Sequence, residues 1–191
     1  MSNSTPHEFD LELPRGDLWI FGYGSLMWNP GFPYVRSGSA LLRGYHRAFC
    51  IYSDRYRGTP EQPGLVLGLN RGGACRGIAY LVAKQQIKDV LDSLWAREMS
   101  RRTYCPRLVR VNLAGERAQA LTFVADPAHP GYAGRLALEE IAVMIARGVG
   151  ARGANTDYLV NTLRHLEALG VRDPGLRKIH SAVKKLQSRS E

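Results

Sequence analysis

Apolar residues fall in short, strand-length clusters over the first two thirds of the chain and at helical spacing over the last third. The clusters Asp17 to Phe21, Tyr34 to Leu42, His46 to Tyr52, Gly64 to Leu69, Cys75 to Val82, Leu108 to Leu113 and Ala118 to Ala125 predict seven strands. The last two alternate in polarity and are separated by Ala114-Gly115-Glu116, which predicts a hairpin. One helix, around Gln85 to Met99, interrupts the strands. Beyond the loop Asp126 to Gly131, helices are predicted over Leu138 to Arg147, Thr156 to Leu169 and Pro174 to Gln187. Asn155 reads as an N-cap, Gly170 as a helix stop, and Asp173-Pro174 as an N-cap followed by proline at the first helical position. Seven short strands with few hairpin signals predict an α+β fold, a mixed barrel-like β-sheet with helices packed outside. No repeat, low-complexity tract or linker divides the chain, so one domain over residues 1–191 is expected, with 1–15 as a loose N-terminal tail.

The helix from Gln85 to Met99 carries an apolar stripe at Ile87, Val90, Leu91, Leu94 and Trp95, the pattern of a face turned to the core. Glu98 lies on that stripe. It follows Ile87 by eleven residues, Leu91 by seven and Leu94 by four, which at about 100° per residue puts it within ~40° of all three. A carboxylate there is expected to be partly desolvated, which raises its pKa towards the range useful for a general base. The competing expectation is an ion pair with Arg97, Arg101 or Arg102 at a solvated helix end.

Residues 20 to 31 read Ile-Phe-Gly-Tyr-Gly-Ser-Leu-Met-Trp-Asn-Pro-Gly, a strand running into a glycine-rich turn. Gly22 and Gly24 can take positive φ or let a ligand approach the backbone closely, and successive N–H groups in such a turn form a concave anion site. The stretch is no dinucleotide fingerprint. Met27 stands where the third glycine should be, and Asn29-Pro30-Gly31 breaks the helix such a motif must open.

Composition adds limits. The chain has 191 residues, 45% hydrophobic and 23% charged, enough for one substantial core. No apolar run reaches the ~18 residues of a membrane span, and the N-terminus lacks the layout of a signal peptide. Cys50, Cys75 and Cys105 are odd in number and widely spaced, which argues against a disulfide framework and fits a reducing cytoplasm. Cys105, nearest in sequence to the candidate site, reads as a small buried hydrophobe rather than a nucleophile. The five histidines share no metal-ligand spacing, so no metal is expected. The net charge of +9 suits an anionic substrate and also nucleic acid. The densest basic run, Arg177 to Arg189, has no interleaved aromatics and reads as the solvated face of a helix, so no nucleic-acid partner is expected.

Several separated motifs carry a resemblance. Phe-Gly-Tyr-Gly-Ser-Leu from Phe21, Arg57-Gly58-Thr59-Pro60-Glu61-Gln62-Pro63-Gly64, and Trp95-Ala96-Arg97-Glu98-Met99 ahead of Tyr104 resemble the ChaC family of γ-glutamylcyclotransferases in its bacterial form. The resemblance continues through Cys75 to Tyr80 and Ala120 to Ala125 and into the helical part from Leu138. It implies a lyase that cyclises the γ-glutamyl residue of glutathione to 5-oxoproline and releases Cys-Gly, without a cofactor. It implies Glu98 as the catalytic acid/base, and Gly22, Tyr23, Gly24, Ser25 and Leu26 as the substrate loop. Tyr104 is assigned to substrate binding, orientation of Glu98 or packing. One departure stands out: Arg101-Arg102-Thr103 replaces the small, glycine-containing turn that family members usually carry before the tyrosine.

The implied chemistry is legible in the residues. Glu98 would deprotonate the substrate's α-amine, and the turn's amides would hold either the α-carboxylate or the oxyanion. The polar loop Tyr52 to Arg57 is placed to contact the Cys-Gly part. Two alternatives stand beside this: action on other γ-glutamyl peptides or amines, and a non-catalytic regulator, connected with cation transport, that binds a partner through its basic surface. The sequence does not set the oligomeric state.

Overall fold

The computed structural model describes residues 11–99 and 102–188. Five strands, β1 (Leu18–Gly22), β2 (Arg36–Ser53), β3 (Gly64–Val82), β4 (Tyr104–Leu113) and β5 (Glu116–Ala125), close into a barrel in the order β1-β3-β2-β4-β5. The sheet is mixed. Its ladders are antiparallel except where β1 meets β5, in parallel register at Trp19↔Ala120 and Ile20↔Leu121. Outside the barrel lie α1 (Ile87–Glu98), α2 (Leu138–Arg147), α3 (Asn155–Ala168) and α4 (Pro174–Gln187). The α+β barrel-like class expected from the sequence is the class observed. A two-residue pair, β6 (Val149–Gly150) and β7 (Gly153–Ala154), joins α2 to α3.

The strand count differs from expectation. Tyr34 to Leu42 and His46 to Tyr52 form one continuous strand, as do Gly64 to Leu69 and Cys75 to Val82, so the four predicted pieces are the two long strands β2 and β3. They pair from Arg36↔Leu81 to Ser53↔Gly64, with register shifts at Arg43/Tyr45 and Phe49/Ile51. Gly44 takes φ +86°, and Gly72 and Gly73 take +96° and +70°. These glycines, which fall between the predicted pieces, absorb the left-handed backbone of bulges, which bend a strand without ending it. The β4–β5 hairpin forms as expected, closed by Leu113↔Glu116 with Gly115 at φ +85°.

The run Leu-Trp-Ile-Phe of β1 is buried throughout because both faces of the strand are covered. Trp19 and Phe21 belong to the larger core cluster, with Ile145, Leu159, Leu176 and Val183 of α2, α3 and α4. Leu18 and Ile20 belong to a second cluster with Val90, Leu91 and Leu94 of α1. The predicted stripe of α1 is therefore the face that packs, with Trp95 edge-on to Phe123 at 5.6 Å. Leu11 and Leu13, from the stretch expected to be a loose tail, pack against this second cluster, while residues 1–10 lie outside those described. No helix among the described residues is long and apolar enough to cross a membrane.

The helix ends follow expectation at two places and not at a third. Asp173 caps α4, its Oδ1 accepting from the Leu176 N–H at 3.1 Å, and Gly170 closes α3 at φ +69°. Asn155 does not cap α3. It is fully buried within the helix, its Oδ1 accepting from the Leu65 N–H (2.6 Å) and its Nδ2 donating to the Leu65 carbonyl (2.8 Å). The side chain thus pairs both the N–H and the C=O of one β3 residue, which takes precedence over a local cap.

Candidate active site

β1 ends at Gly22, and the chain folds into a single 3₁₀ turn over Ser25–Met27. The turn packs down on Gly22, where a Cβ would stand 2.9 Å from Leu26 Cβ. Gly22 therefore lies behind the turn and serves it by close approach, while Gly24 has φ −123° rather than a positive value. The turn's own hydrogen bonds use the amides of Met27, Trp28 and Asn29, so those of Ser25 and Leu26 are not spent on closing it.

A small cavity of about 60 Å³ is lined by Tyr23, Gly24, Ser25, Leu26, Tyr104 and Glu98. The structure thus brings together each of the candidate residues read from the sequence except Gly22. Leu67, Phe123 and Tyr158 complete the wall. A larger open cleft, about 480 Å³, shares Ser25, Glu98, Tyr104 and Tyr158 with the cavity.

Glu98 is the last residue of α1, and its side chain is 18% exposed. Burial raises its pKa, and the neighbouring Arg97 pulls in the opposite direction, its Nε 3.2 Å from Glu98 Oε1. The two expectations for this residue thus both describe it: the carboxylate is shielded, and Arg97 is its partner. Arg101 lies outside the described residues. Arg97 also reaches the turn, donating to Ser25 Oγ at 2.8 Å and to the Asn29 carbonyl at 2.9 Å.

Three tyrosines surround the carboxylate. Burial pushes the Tyr23 and Tyr104 hydroxyls well above the usual phenol range and Tyr158 up to about 12, and the nearby negative charge of Glu98 adds to each. All three remain protonated at neutral pH. The Tyr104 hydroxyl donates to the Leu67 carbonyl at 2.8 Å, which fixes its ring against β3. Tyr158 is contributed by α3, and no local sequence signal marked it. It sits at a half-buried helical position whose neighbours are set by docking of α3 on the barrel.

Arg47 was also unmarked in the sequence. Its guanidinium, 2% exposed, donates to the Tyr23 carbonyl, the Arg76 carbonyl (2.7 Å) and Asp173 Oδ2 (2.7 Å). It ties the turn to β3 and to the cap of α4 from behind. The signal that could have found it is a charged residue inside a strand otherwise reading as core.

The cysteines differ from expectation in two respects, the first being that Cys105 is half-buried rather than buried. The thiol close to Tyr23 and Tyr104 is Cys50, not Cys105, because side chains alternate along β4 and Cys105 points away from the neighbouring Tyr104 into another depression with Asp126 and Arg107. Cys50 is buried against Gly68, and burial pushes its thiol up to about 12, so it is unreactive at neutral pH. After Glu98, Arg102 adopts φ +52°, the left-handed conformation a glycine would supply at lower cost.

Known proteins share this sequence pattern and this fold. The family described as ChaC-like protein matches residues 18–186. The chain is 41% identical over 173 residues to the glutathione-specific gamma-glutamylcyclotransferase of Escherichia coli (strain K12), covering 90% of this chain and 75% of that one. It is 36% identical over 181 residues to glutathione-specific gamma-glutamylcyclotransferase 1 of Danio rerio, covering 91% and 92%. A crystal structure of the gamma-glutamyl cyclotransferase specific to glutathione from yeast shares the fold, with a TM-score of 0.80 over 89% of this chain and 96% of that one at 21% identity. With a family match over residues 18–186 and relatives more than one third identical over most of its length, the chain belongs to the ChaC-like family.

Proposed function

We propose that this protein cleaves glutathione by cyclising its γ-glutamyl residue to 5-oxoproline, releasing Cys-Gly, with Glu98 as the one acid/base. The observation that carries the reading is the shielded Glu98 carboxylate, its pKa raised by burial, on a cavity wall shared with the Tyr23–Leu26 turn.

The substrate's α-ammonium cannot attack until it loses a proton, and Glu98 takes it. The freed nitrogen then adds to the γ-carbonyl carbon of the same residue, forming the ring bond. Holding the flexible glutamyl chain folded in a small cavity supplies much of the acceleration, since reactions between well-oriented groups in one molecule gain up to about 7–11 kcal/mol over their bimolecular counterparts. The tetrahedral oxyanion is held by amides of the turn or by a tyrosine hydroxyl. The bond from the γ-carbon to the cysteine nitrogen breaks as Glu98 returns its proton to that nitrogen. Of the three ammonium protons the lactam keeps one. The first passes through Glu98 as described, and the ring nitrogen, made acidic by the new bond, gives up another, which the same carboxylate then passes on so that Cys-Gly leaves as its ammonium. The reaction balances without cofactor or co-substrate.

Incubation of the purified protein with glutathione, followed by mass spectrometry for 5-oxoproline and Cys-Gly, tests the reading. Both products are expected from the wild type and neither at a comparable rate from Glu98→Gln. Products from γ-glutamyl-alanine but not glutathione would move the assignment to a broader cyclotransferase, and no product from either would favour a regulator.

A further inference from the structure

We infer that the outer cleft is a carboxylate subsite in which Arg55 and Arg152 hold the free C-terminus of the departing peptide, a reading that rests on the proposed cyclisation. The cavity at Glu98 is about 60 Å³, too small for a tripeptide. Whatever follows the γ-glutamyl residue must lie in the adjoining cleft of about 480 Å³. That cleft is lined by five arginines, at 55, 57, 97, 152 and 164, and among its described lining residues Glu98 is the one carboxylate.

The arginines are not equivalent. Arg97 is engaged with the turn and Glu98. Arg57 is pinned through Nη1 to the carbonyls of Arg152 (2.6 Å) and Ala154 (3.0 Å), and Arg164 donates to Asn161 Oδ1. Arg55 and Arg152 instead both lie against the ring of Tyr56, their guanidinium carbons 5.5 and 4.2 Å from its centroid. The fold holds them there: the Ala151 N–H donates to the Arg55 carbonyl (2.8 Å) and the Arg152 N–H to the Tyr56 carbonyl (3.0 Å). Two cations gathered on one ring repel each other, and an anion between them offsets that repulsion. Stacking uses the face of a guanidinium and leaves its in-plane N–H donors for a carboxylate. The chemistry selected is a peptide leaving group with a free C-terminal carboxylate, as opposed to an amine or a C-terminally amidated peptide.

The test compares kcat/KM for glutathione and for its C-terminal glycinamide, in the wild type, Arg152→Met and the Arg55→Met/Arg152→Met pair. Wild-type preference for the free carboxylate is expected to be about tenfold, the low end for charge-assisted hydrogen bonds because the cleft is open. The preference should fall in the single variant and to within about twofold in the pair, with Arg152→Lys retaining part of it. Equal rates on both peptides in the wild type would overturn the inference. So would variants that slow both peptides by one factor, since the arginines would then serve the α-carboxylate or the fold. No product from either peptide would overturn the cyclotransferase reading instead. Calorimetric titration of Glu98→Gln with both peptides needs no turnover and tests the subsite separately: tighter binding of glutathione supports it, and equal affinity or no binding overturns it.

Discussion

Replacing Arg47 by methionine removes the guanidinium that holds the Tyr23–Leu26 turn from behind. The substitution roughly keeps the volume of the apolar stem but leaves three acceptors without their donor: the carbonyls of Tyr23 and Arg76 and the Asp173 carboxylate. Breaking a buried ion pair from one side costs about 3–5 kcal/mol. Because the Asp173 side chain is 17% exposed against 2% for Arg47, water can partly rescue the carboxylate, and the lower part of that range, about 3 kcal/mol, is expected. For a chain of this size that is a fall in Tm of roughly 6–12 °C. Asp173→Asn keeps the cap on Leu176 while removing the anion. Urea unfolding of both single variants and the double variant should then yield a coupling of about 1–3 kcal/mol. Turnover of glutathione by Arg47→Met, measured below its Tm, should drop by about a hundredfold if the turn shifts by an ångström. A cost under about 1 kcal/mol, or a coupling within about 0.5 kcal/mol of zero, would refute the clamp.

Other substitutions separate catalysis from packing. Glu98→Gln should lower kcat by about 10²–10⁴ yet be at least as stable as the wild type at pH 8. The folded protein holds the Glu98 proton more tightly than the unfolded chain does, so its contribution is lost as pH rises through the raised folded pKa. Thermal melts at pH 5 and pH 8 check the sign, and a variant less stable than wild type at pH 8 would contradict it. In the wild type the same shift moves the acidic limb of kcat/KM upward from where an unperturbed carboxylate would set it, and that limb should be absent from the residual activity of Glu98→Gln. Asn155→Ala strips the partners from both the N–H and the C=O of buried Leu65 and should cost about 2–4 kcal/mol in urea unfolding. Gly22→Ala forces a Cβ against Leu26, whereas at Gly24 a Cβ would meet only Leu67 Cδ1 at 3.9 Å. The first variant should therefore lose at least about 1 kcal/mol of stability and the second less, as judged by Tm.

What the sequence by itself determined is what short-range physics controls. Helical period put Glu98 in phase with Leu91 and Leu94, so once the stripe packed the carboxylate was shielded with it. The Gly-Tyr-Gly-Ser run specified a turn after an apolar strand, Ala114-Gly115 specified a hairpin, and Asp173-Pro174 started α4, because each depends on the conformations open to a few consecutive residues. Tertiary structure decided the rest. Whether Gly44 and Gly72-Gly73 ended strands or bent them depended on the ladder between β2 and β3, which no local window contains. Asn155 was free to cap a helix until barrel and helix docked and the backbone N–H and C=O of Leu65 needed partners. Arg47 gained its purpose from three segments that meet only when the barrel closes. The arginines at 55, 57, 97, 152 and 164, scattered along the chain, became one lining through the same closure. Dihedral preferences and hydrophobic phase act over a few residues and are written in the sequence locally. The enclosure of charge, and with it the reactivity of a carboxylate, is set by which distant segments exclude water together.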